Sequence, residues 1–354
     1  MNRIYIILAA AAALLLGSCA KQQTTSTGAD AKEYLELYVN HHKEYANIVP
    51  DQWGIYLIED VPGTGADWDP ELPYSLLGSV VRTLDGTITS YTEADIEQQL
   101  DQDAYKEYNY YGPEYKNTAE GSGYAGVEYL LKGMKVGGSR KAIIPSWLLT
   151  TSRYSTQQEY LNNCTVSTHV IYEVYLAGQC ADVAQQEIED IATFVALHGE
   201  DRDIFPATPK RCSYKADQTD GTFYFASDTT AFKEEDKRAD DAVLYLSYTC
   251  RRALDFQAVD TNVKAVALEE GLYTADGTYD RVKITFSETY SSIAMGGSTS
   301  LIDGFQGALY KMHWAGQKAV VVFVSSLGYG STGSGKIIPP YAPLIFELEL
   351  FTEK

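Results

Sequence analysis

The sequence predicts an α+β fold of two related domains, each a curved antiparallel sheet packed on a short helix. Each half of the 354-residue chain begins with a stretch of helical hydrophobic spacing, residues 31–46 and residues 182–198. A glycine and an alternating strand follow, at residues 53–58 and 220–225. Later in each half come a helix between two glycines, an aliphatic strand and a closing aromatic strand. Because the repeat is about half the chain, duplication of one domain explains the pattern better than a solenoid does.

The first helix of each half is amphipathic, so its inward face can be predicted from the spacing. The predicted inward residues are Tyr34, Leu35, Tyr38 and Val39 in the first half and Ile188, Ile191, Ala192 and Val195 in the second. In the first half the later glycines are Gly126 and Gly137, with strands predicted at residues 142–145 and 169–176.

The last fifty residues form the most regular unit of the chain. Phe305, Ala308, Leu309 and Met312 share one helical face. Residues 319–324 are β-branched and aliphatic, which favours a strand. Apolar residues then alternate from Leu344 to Leu350, which predicts a final half-buried strand.

Five motifs in this unit occur in the order found in one known family. They are Gly304-Phe305, Gly316, Tyr329-Gly330, Ile338-Pro339-Pro340 and Phe346-Glu347-Leu348-Glu349-Leu350. This order resembles the FKBP family of peptidyl-prolyl cis-trans isomerases. The resemblance is close in residues 301–354 and moderate in residues 242–262. It implies two FKBP-like domains, with an isomerase or folding-helper activity carried by the second.

The resemblance also implies the residues of a substrate pocket in the second half. The residues implied in catalysis are Tyr248, Asp260 and Tyr329. The residues implied in substrate binding are Val259, Leu301, Ile302, Phe305, Ile338 and Phe346. The Tyr329 hydroxyl and the Ile338 backbone amide would hold peptide carbonyls, while Asp260 and Tyr248 would form a polar edge.

Isomerisation of an X-Pro bond makes and breaks no covalent bond, so we expect neither a cofactor nor a metal. Rotation removes amide resonance and its charge separation, so an apolar pocket favours the twisted state over the planar one. The expected partners are proline-containing peptides or unfolded exported proteins. The glycine-rich stretch of residues 330–336 has phosphate-loop spacing, but Pro339-Pro340 opposes the helix that nucleotide binding requires, so no nucleotide is expected.

Departures from the family pattern favour a second interpretation, a non-catalytic peptide- or protein-binding module. Phe305 replaces a usual Trp, Val259 replaces an aromatic residue and Cys250 replaces a Gly. The first half departs further. At the positions where the family has its strand Tyr, catalytic Asp, aromatic floor and loop Tyr, the first half is predicted to have Gly78, Ser90, Val127 and Thr150.

Each half contains an insertion relative to the family pattern. Residues 91–123 are rich in tyrosine and acidic residues. They predict either a protein- or glycan-contact surface or a solvated loop whose rings pack locally. Residues 264–291 either cap the second pocket or lengthen its sheet, and Ala275-Asp276-Gly277 within them suggests a hairpin.

The amino terminus predicts a tandem-domain bacterial lipoprotein. Residues 1–18 have the charge and apolar run of a signal peptide, and the sequence around Cys19 resembles a lipobox, so Cys19 is the predicted lipidation site. Residues 19–30 would be a flexible tether, residues 31–180 a degenerate FKBP-like domain and residues 181–354 the second domain. The predicted location is the cell envelope, at the outer membrane facing the periplasm.

Charge and cysteine content limit the remaining partners. A formal net charge of −20 argues against nucleic-acid binding and against electrostatic docking on anionic lipid, so membrane attachment would depend on the lipid anchor alone. Besides Cys19 the chain has four cysteines, which either stay unpaired or form disulfides. The pairs Cys164–Cys180 and Cys212–Cys250 would keep each bridge within one domain.

Overall fold

The computed structural model describes residues 27–198, 205, 210–212 and 221–354, with no side-chain description for residues 198 and 210–212. The first half contains four helices and six strands in this part of the chain. The helices are α1 (Thr27–His41), α2 (Ala94–Leu100), α3 (Ala125–Leu131) and α4 (Gln157–Asn162). The strands are β1 (Tyr56–Val61), β2 (Tyr74–Thr83), β3 (Ile88–Tyr91), β4 (Glu114–Asn117), β5 (Ser139–Ile144) and β6 (Val170–Cys180).

The described second half continues with three helices and eight strands. The helices are α5 (Val183–His198), α6 (Lys264–Glu269) and α7 (Asp303–Tyr310). The strands are β7 (Lys210–Cys212), β8 (Thr222–Ala226), β9 (Val243–Arg252), β10 (Ala258–Thr261), β11 (Val282–Thr285), β12 (Ala294–Met295), β13 (Lys318–Phe323) and β14 (Leu344–Phe351).

Both halves use the same strand order. The first sheet runs β1-β5-β6-β2-β3, with β4 also paired to β2. In the second sheet β8, β13, β14, β9 and β10 are neighbours in the equivalent order, and β11 also pairs with β9. Every one of these pairings is antiparallel. The α+β class with two antiparallel sheets is therefore confirmed, and the shared order fits the predicted duplication.

The last helix packs on the second sheet as its spacing predicts. Phe305, Ala308, Leu309 and Met312 are all at most 3% exposed and lie in one core cluster with β13 and β14. The helix begins at Asp303, two residues before the predicted start. In the first half, α3 occupies the equivalent place in the other core cluster.

Two of the residues predicted to face inward do not face the core. Leu35 and Val39 are buried, but Tyr34 is 57% exposed, and Ala192 is also exposed whereas Ile191 is buried. Both errors fall at the edge of an apolar stripe, where helical spacing alone does not separate a contact with the sheet from a contact with water.

The second-half insertion lengthens the sheet, one of its two predicted roles. It forms α6 and then β11, which pairs with residues 243–246 of β9. The suggested hairpin is wrong: residues 274–277 make a turn, but β11 pairs with β9 and β12 and not across that turn.

Three of the four remaining cysteines have described side chains. Cys164, Cys180 and Cys250 carry free thiols, so the suggested Cys164–Cys180 bridge is wrong. The side chain of Cys212 lies outside the description, as do the signal sequence and Cys19. In the described part of the chain, no helix combines the length and apolar character needed to cross a bilayer.

Candidate functional site

The β9–β10 pair positions the polar edge of the predicted pocket. Asp260 lies opposite Cys250 in the pairing, and Tyr248 is two residues earlier on β9. Since side chains alternate along a strand, Tyr248 and Cys250 point to the same face. The Tyr248 hydroxyl donates a hydrogen bond of 2.8 Å to Asp260 Oδ2. The two polar residues implied by the resemblance are therefore brought into direct contact.

An aromatic cluster forms the floor beside this edge. Phe305 on α7 and Phe346 on β14 have ring centroids 4.7 Å apart, and the Tyr248 ring lies 6.1 Å and 6.5 Å from them. Such separations are typical of favourable aromatic pairs. Phe305 and Phe346 are 3% and 6% exposed, so they belong to the core and present only a small surface to a ligand.

The other residues implied in substrate binding belong to the same part of the core as this floor. Val259 on β10 and Ile338 are buried, while Leu301 and Ile302, just before α7, are half-buried. All four belong to the core cluster of the second half or pack against it. Every apolar residue that the resemblance implied thus lies in or against one core cluster.

Tyr329 supplies a hydroxyl at the rim. Its side chain is 41% exposed, and its hydroxyl makes no hydrogen bond to any described residue. Burial raises the pKa of Tyr329, and the nearby Cys250 and Asp260 raise it further. Burial and Asp260 likewise raise the pKa of Tyr248. Both phenols therefore stay protonated at neutral pH, and Tyr329 can donate to a ligand.

The backbone donors differ from the prediction. The Ile338 amide, expected to hold a peptide carbonyl, donates instead to the Ser334 carbonyl at 3.2 Å. The Ile302 amide has no hydrogen-bond partner among the described residues. Ile302 is the N-cap of α7, and the first amides of a helix lack partners within it. The sequence analysis did not identify this donor, although the helix start predicted at Gly304-Phe305 is a signal for unpaired backbone amides.

The first half has lost the polar edge, and its register differs from the prediction by one residue. Tyr248 lies opposite Leu348 on β14. The corresponding residue of β6 is Val174. Like Leu348 in the second half, Val174 lies four positions after the residue that pairs with the last residue of the aliphatic strand. Val174 pairs with Ser79 and not with Gly78. Ser79 therefore occupies the position of the strand Tyr, and the Gly78 assignment is wrong.

The other first-half positions fit the prediction. Ser90 lies opposite Val81 on β2, as Asp260 lies opposite Cys250 on β9. Val127 follows the helix-start glycine, and Thr150 follows a 3-10 turn that corresponds to the turn before Tyr329. Without a phenol, a carboxylate or an aromatic floor at these positions, this half cannot form the second half's pocket.

Sequence comparisons show that part of the second half is similar to a known family. Residues 235–351 match the family described as FKBP-type peptidyl-prolyl cis-trans isomerase. The chain is 38% identical over 76 residues to FK506-binding protein 2 of Kluyveromyces lactis, which is 21% of this chain and 48% of that protein. It is 38% identical over 58 residues to FK506-binding protein 1 of Dictyostelium discoideum, 16% of this chain and 53% of that protein. The chain spans about half the length of these relatives.

Solved structures of similar proteins superpose only loosely. The three FKBP domains of wheat FKBP73 are 14% identical, with 84% of this chain and 94% of that chain covered and a TM-score of 0.28. A Pseudomonas syringae peptidyl-prolyl isomerase is 21% identical, with 48% and 93% covered and a TM-score of 0.28. The similarity to the FKBP-type peptidyl-prolyl cis-trans isomerase family thus rests on the sequence match of residues 235–351, the part of the chain that holds Tyr248, Asp260 and Tyr329.

Proposed function

We propose that the chain forms two domains, residues 31–180 and 181–354, and that the second catalyses cis–trans isomerisation of X-Pro peptide bonds. The observation that carries this proposal is the contact of the Tyr248–Asp260 pair with the Phe305–Phe346 floor, next to the unpaired Tyr329 hydroxyl. This is an apolar surface with one polar edge and one free donor, in the segment that matches the isomerase family.

The proposed mechanism is differential binding of the twisted amide. The barrier to rotation about a peptide bond is about 18–20 kcal/mol, and it comes from the resonance that rotation removes. The apolar floor disfavours the charge-separated planar amide and so lowers the barrier. The Tyr329 hydroxyl and the Ile302 amide are placed to hold peptide carbonyls, and Asp260 fixes the Tyr248 ring. No proton is transferred and no covalent intermediate forms.

The test is NMR exchange spectroscopy of X-Pro peptides with the full mature chain. We expect Tyr329→Phe to slow catalysed exchange about three- to tenfold, because one hydrogen bond contributes roughly 0.5–1.5 kcal/mol. The Asp260→Asn change should act in the same direction by weakening the bond to Tyr248. Tyr310→Phe is the matched control, since Tyr310 is 40% exposed and lies on the far end of α7.

The alternative function is peptide binding without catalysis. The near-complete burial of Phe305 and Phe346 favours it, because a floor already packed on itself offers a ligand little surface. Peptide-dependent shifts at Tyr329 with no acceleration of exchange over buffer would establish this alternative and refute the isomerase.

We also propose that the protein serves exported proteins, tethered to the outer membrane through lipid on Cys19. The lipobox-like sequence at residues 16–19 supports this anchor. Cys19→Ser should move the protein from the membrane fraction to the soluble fraction and abolish labelling by a radioactive fatty acid, whereas Cys164→Ser should do neither. Membrane retention of the Cys19→Ser protein would contradict the proposal.

A further inference from the structure

We propose that the first half positions the pocket loop of the second half through a clamp on Lys336. The clamp is the tyrosine-rich segment, residues 91–117, and the pocket loop is residues 329–341, which carries Tyr329 and Ile338. The catalytic consequence rests on the proposed isomerase function, but the structural coupling can be measured without it.

The charged part of the clamp is a buried carboxylate. Lys336 Nζ lies 2.5 Å from Glu97 Oε1 and donates to the Tyr91 hydroxyl at 3.0 Å. Glu97 also accepts a bond of 2.8 Å from the Tyr111 hydroxyl, and its side chain is only 4% exposed. A carboxylate this buried is stable in a fold only when it is paired and hydrogen-bonded.

Both members of the pair are charged at neutral pH. Burial alone would raise the pKa of Glu97, but the hydrogen bonds from Lys336 and Tyr111 outweigh it and lower that pKa. The hydrogen bond to Glu97 raises the pKa of Lys336 to about 12. Lys336 is the lysine of the phosphate-loop-like sequence, and no helix follows it before β14 in the described chain. Its ammonium is instead used within the protein.

Backbone contacts extend the clamp on both sides of Lys336. The Tyr110 amide donates to the Lys336 carbonyl at 2.8 Å. Arg252, a fully buried residue of β9, donates to the Tyr108 carbonyl at 2.6 Å and also to the Ile337 carbonyl. One guanidinium thus joins the tyrosine-rich segment and the pocket loop.

Aromatic contacts hold the end of the pocket loop. The Tyr341 ring meets Tyr74 and Tyr115 of the first half edge-on, with centroids 5.9 Å and 6.2 Å apart. Tyr341 has a φ of 58°, a left-handed conformation that is unusual for tyrosine and that surrounding contacts must maintain.

Internal bonds transmit the position of Lys336 to the pocket. The Tyr341 amide donates to Gly330 and the Gly333 amide to Tyr329, while Ser334 and Ile338 exchange a pair of bonds. Because these backbone hydrogen bonds join the two sides of the loop, displacement of Lys336 should also displace Tyr329 and Ile338.

The test compares amide hydrogen exchange in the full chain for Lys336→Met, Lys336→Arg and Lys318→Met. Lys318 is the matched control, because it is similarly exposed and its ion pair with a β14 glutamate lies away from the loop. The Tyr110 amide reports docking of the clamp, and the Ile338 and Tyr341 amides report the loop. For Lys336→Met we expect at least about three- to fivefold faster exchange at all three, because the change removes the charged partner of a carboxylate that stays buried.

Lys336→Arg should restore protection, and Lys318→Met should leave it unchanged. With X-Pro peptides, Lys336→Met should raise KM by a similar factor with little change in kcat. If the Ile338 and Tyr341 amides keep wild-type protection in Lys336→Met, the clamp does not position the loop, whatever happens at Tyr110. If the wild-type protein accelerates no exchange of X-Pro peptides, the isomerase proposal fails, and amide exchange alone decides the clamp.

Discussion

At the scale of single residues, each half fixes the turn after its aliphatic strand with a buried titratable side chain. In the first half the Ser146 amide donates to His169 Nδ1, and His169 Nε2 contacts the Ala31 carbonyl at 3.0 Å. In the second half the Ser325 amide and hydroxyl donate to Glu187 at 2.6 Å and 2.7 Å. These two turns lead directly to Thr150 and Tyr329.

The two groups make stability depend on pH with opposite signs. Burial lowers the pKa of His169 to about 4, so the unfolded chain binds the extra proton and stability falls as pH decreases from 6.5 towards 4. Burial raises the pKa of Glu187 to about 7, so the folded chain binds the extra proton and stability falls as pH increases from 4.5 towards 7. Because the windows overlap, variants are needed to separate them.

For His169→Gln, we expect the loss of stability between pH 6.5 and pH 4 to be smaller than in the wild type. The lowered pKa corresponds to at most about 3 kcal/mol across this range. Urea unfolding at a series of pH values measures the slope, and the exposed His41→Gln variant is the control. Parallel pH profiles for the wild type and His169→Gln would rule out this role.

At the scale of elements, the helix beneath each sheet approaches so closely that its first turn requires glycine. A Cβ added at Gly304 would lie 2.4 Å from Phe323 Cγ, and one added at Gly126 would lie 2.3 Å from Ile144 Cγ2. Phe323 and Ile144 each end the aliphatic strand of their half. The same contact occurs in both halves, although only the second retains the aromatic floor.

Gly304→Ala should therefore destabilise the protein by about 1–3 kcal/mol, the usual cost of overpacking a core. The Phe323 ring must move, and with it Phe346, whose centroid lies 5.8 Å away. Urea denaturation gives the loss, and Gly178→Ala is the control because its Cβ would meet nothing closer than 4.0 Å. Equal stability of the two variants would show that the helix shifts without cost.

The two insertions are equivalent in structure, and this equivalence is visible only when their helices and strands are compared. Residues 92–117, within the first insertion, and residues 262–285, which include most of the second, share no evident sequence similarity. Each nevertheless forms a short helix and then a strand that returns to the same edge of its sheet. The second-half insertion thus repeats elements that the first half also has.

At the scale of the whole molecule, a buried polar group joins the two halves. Arg252 is fully buried, and its partners are Asp255 and the carbonyls of Tyr108 and Ile337. Removing one partner of such a network leaves the others buried and unpaired, which costs more than the network contributes as a whole. Through Arg252, residues of the first half are therefore structural partners of the pocket loop.

The sequence by itself determined the α+β class, the repeat and the apolar residues implied for the pocket. Periodicity and the family motifs are local patterns, so they can be recognised without knowing which residues are neighbours in space. Spacing alone predicts that Phe305, Leu309 and Met312 share one helical face, and all three are buried. Only the tertiary structure decided that, among the described residues, the Ile302 amide lacks a partner and the Ile338 amide has one, and that Ser79 occupies the position of Tyr248. It also decided that the tyrosine-rich segment binds Lys336. Each of these depends on strand register or on a contact between residues far apart in the chain, and no local pattern encodes either.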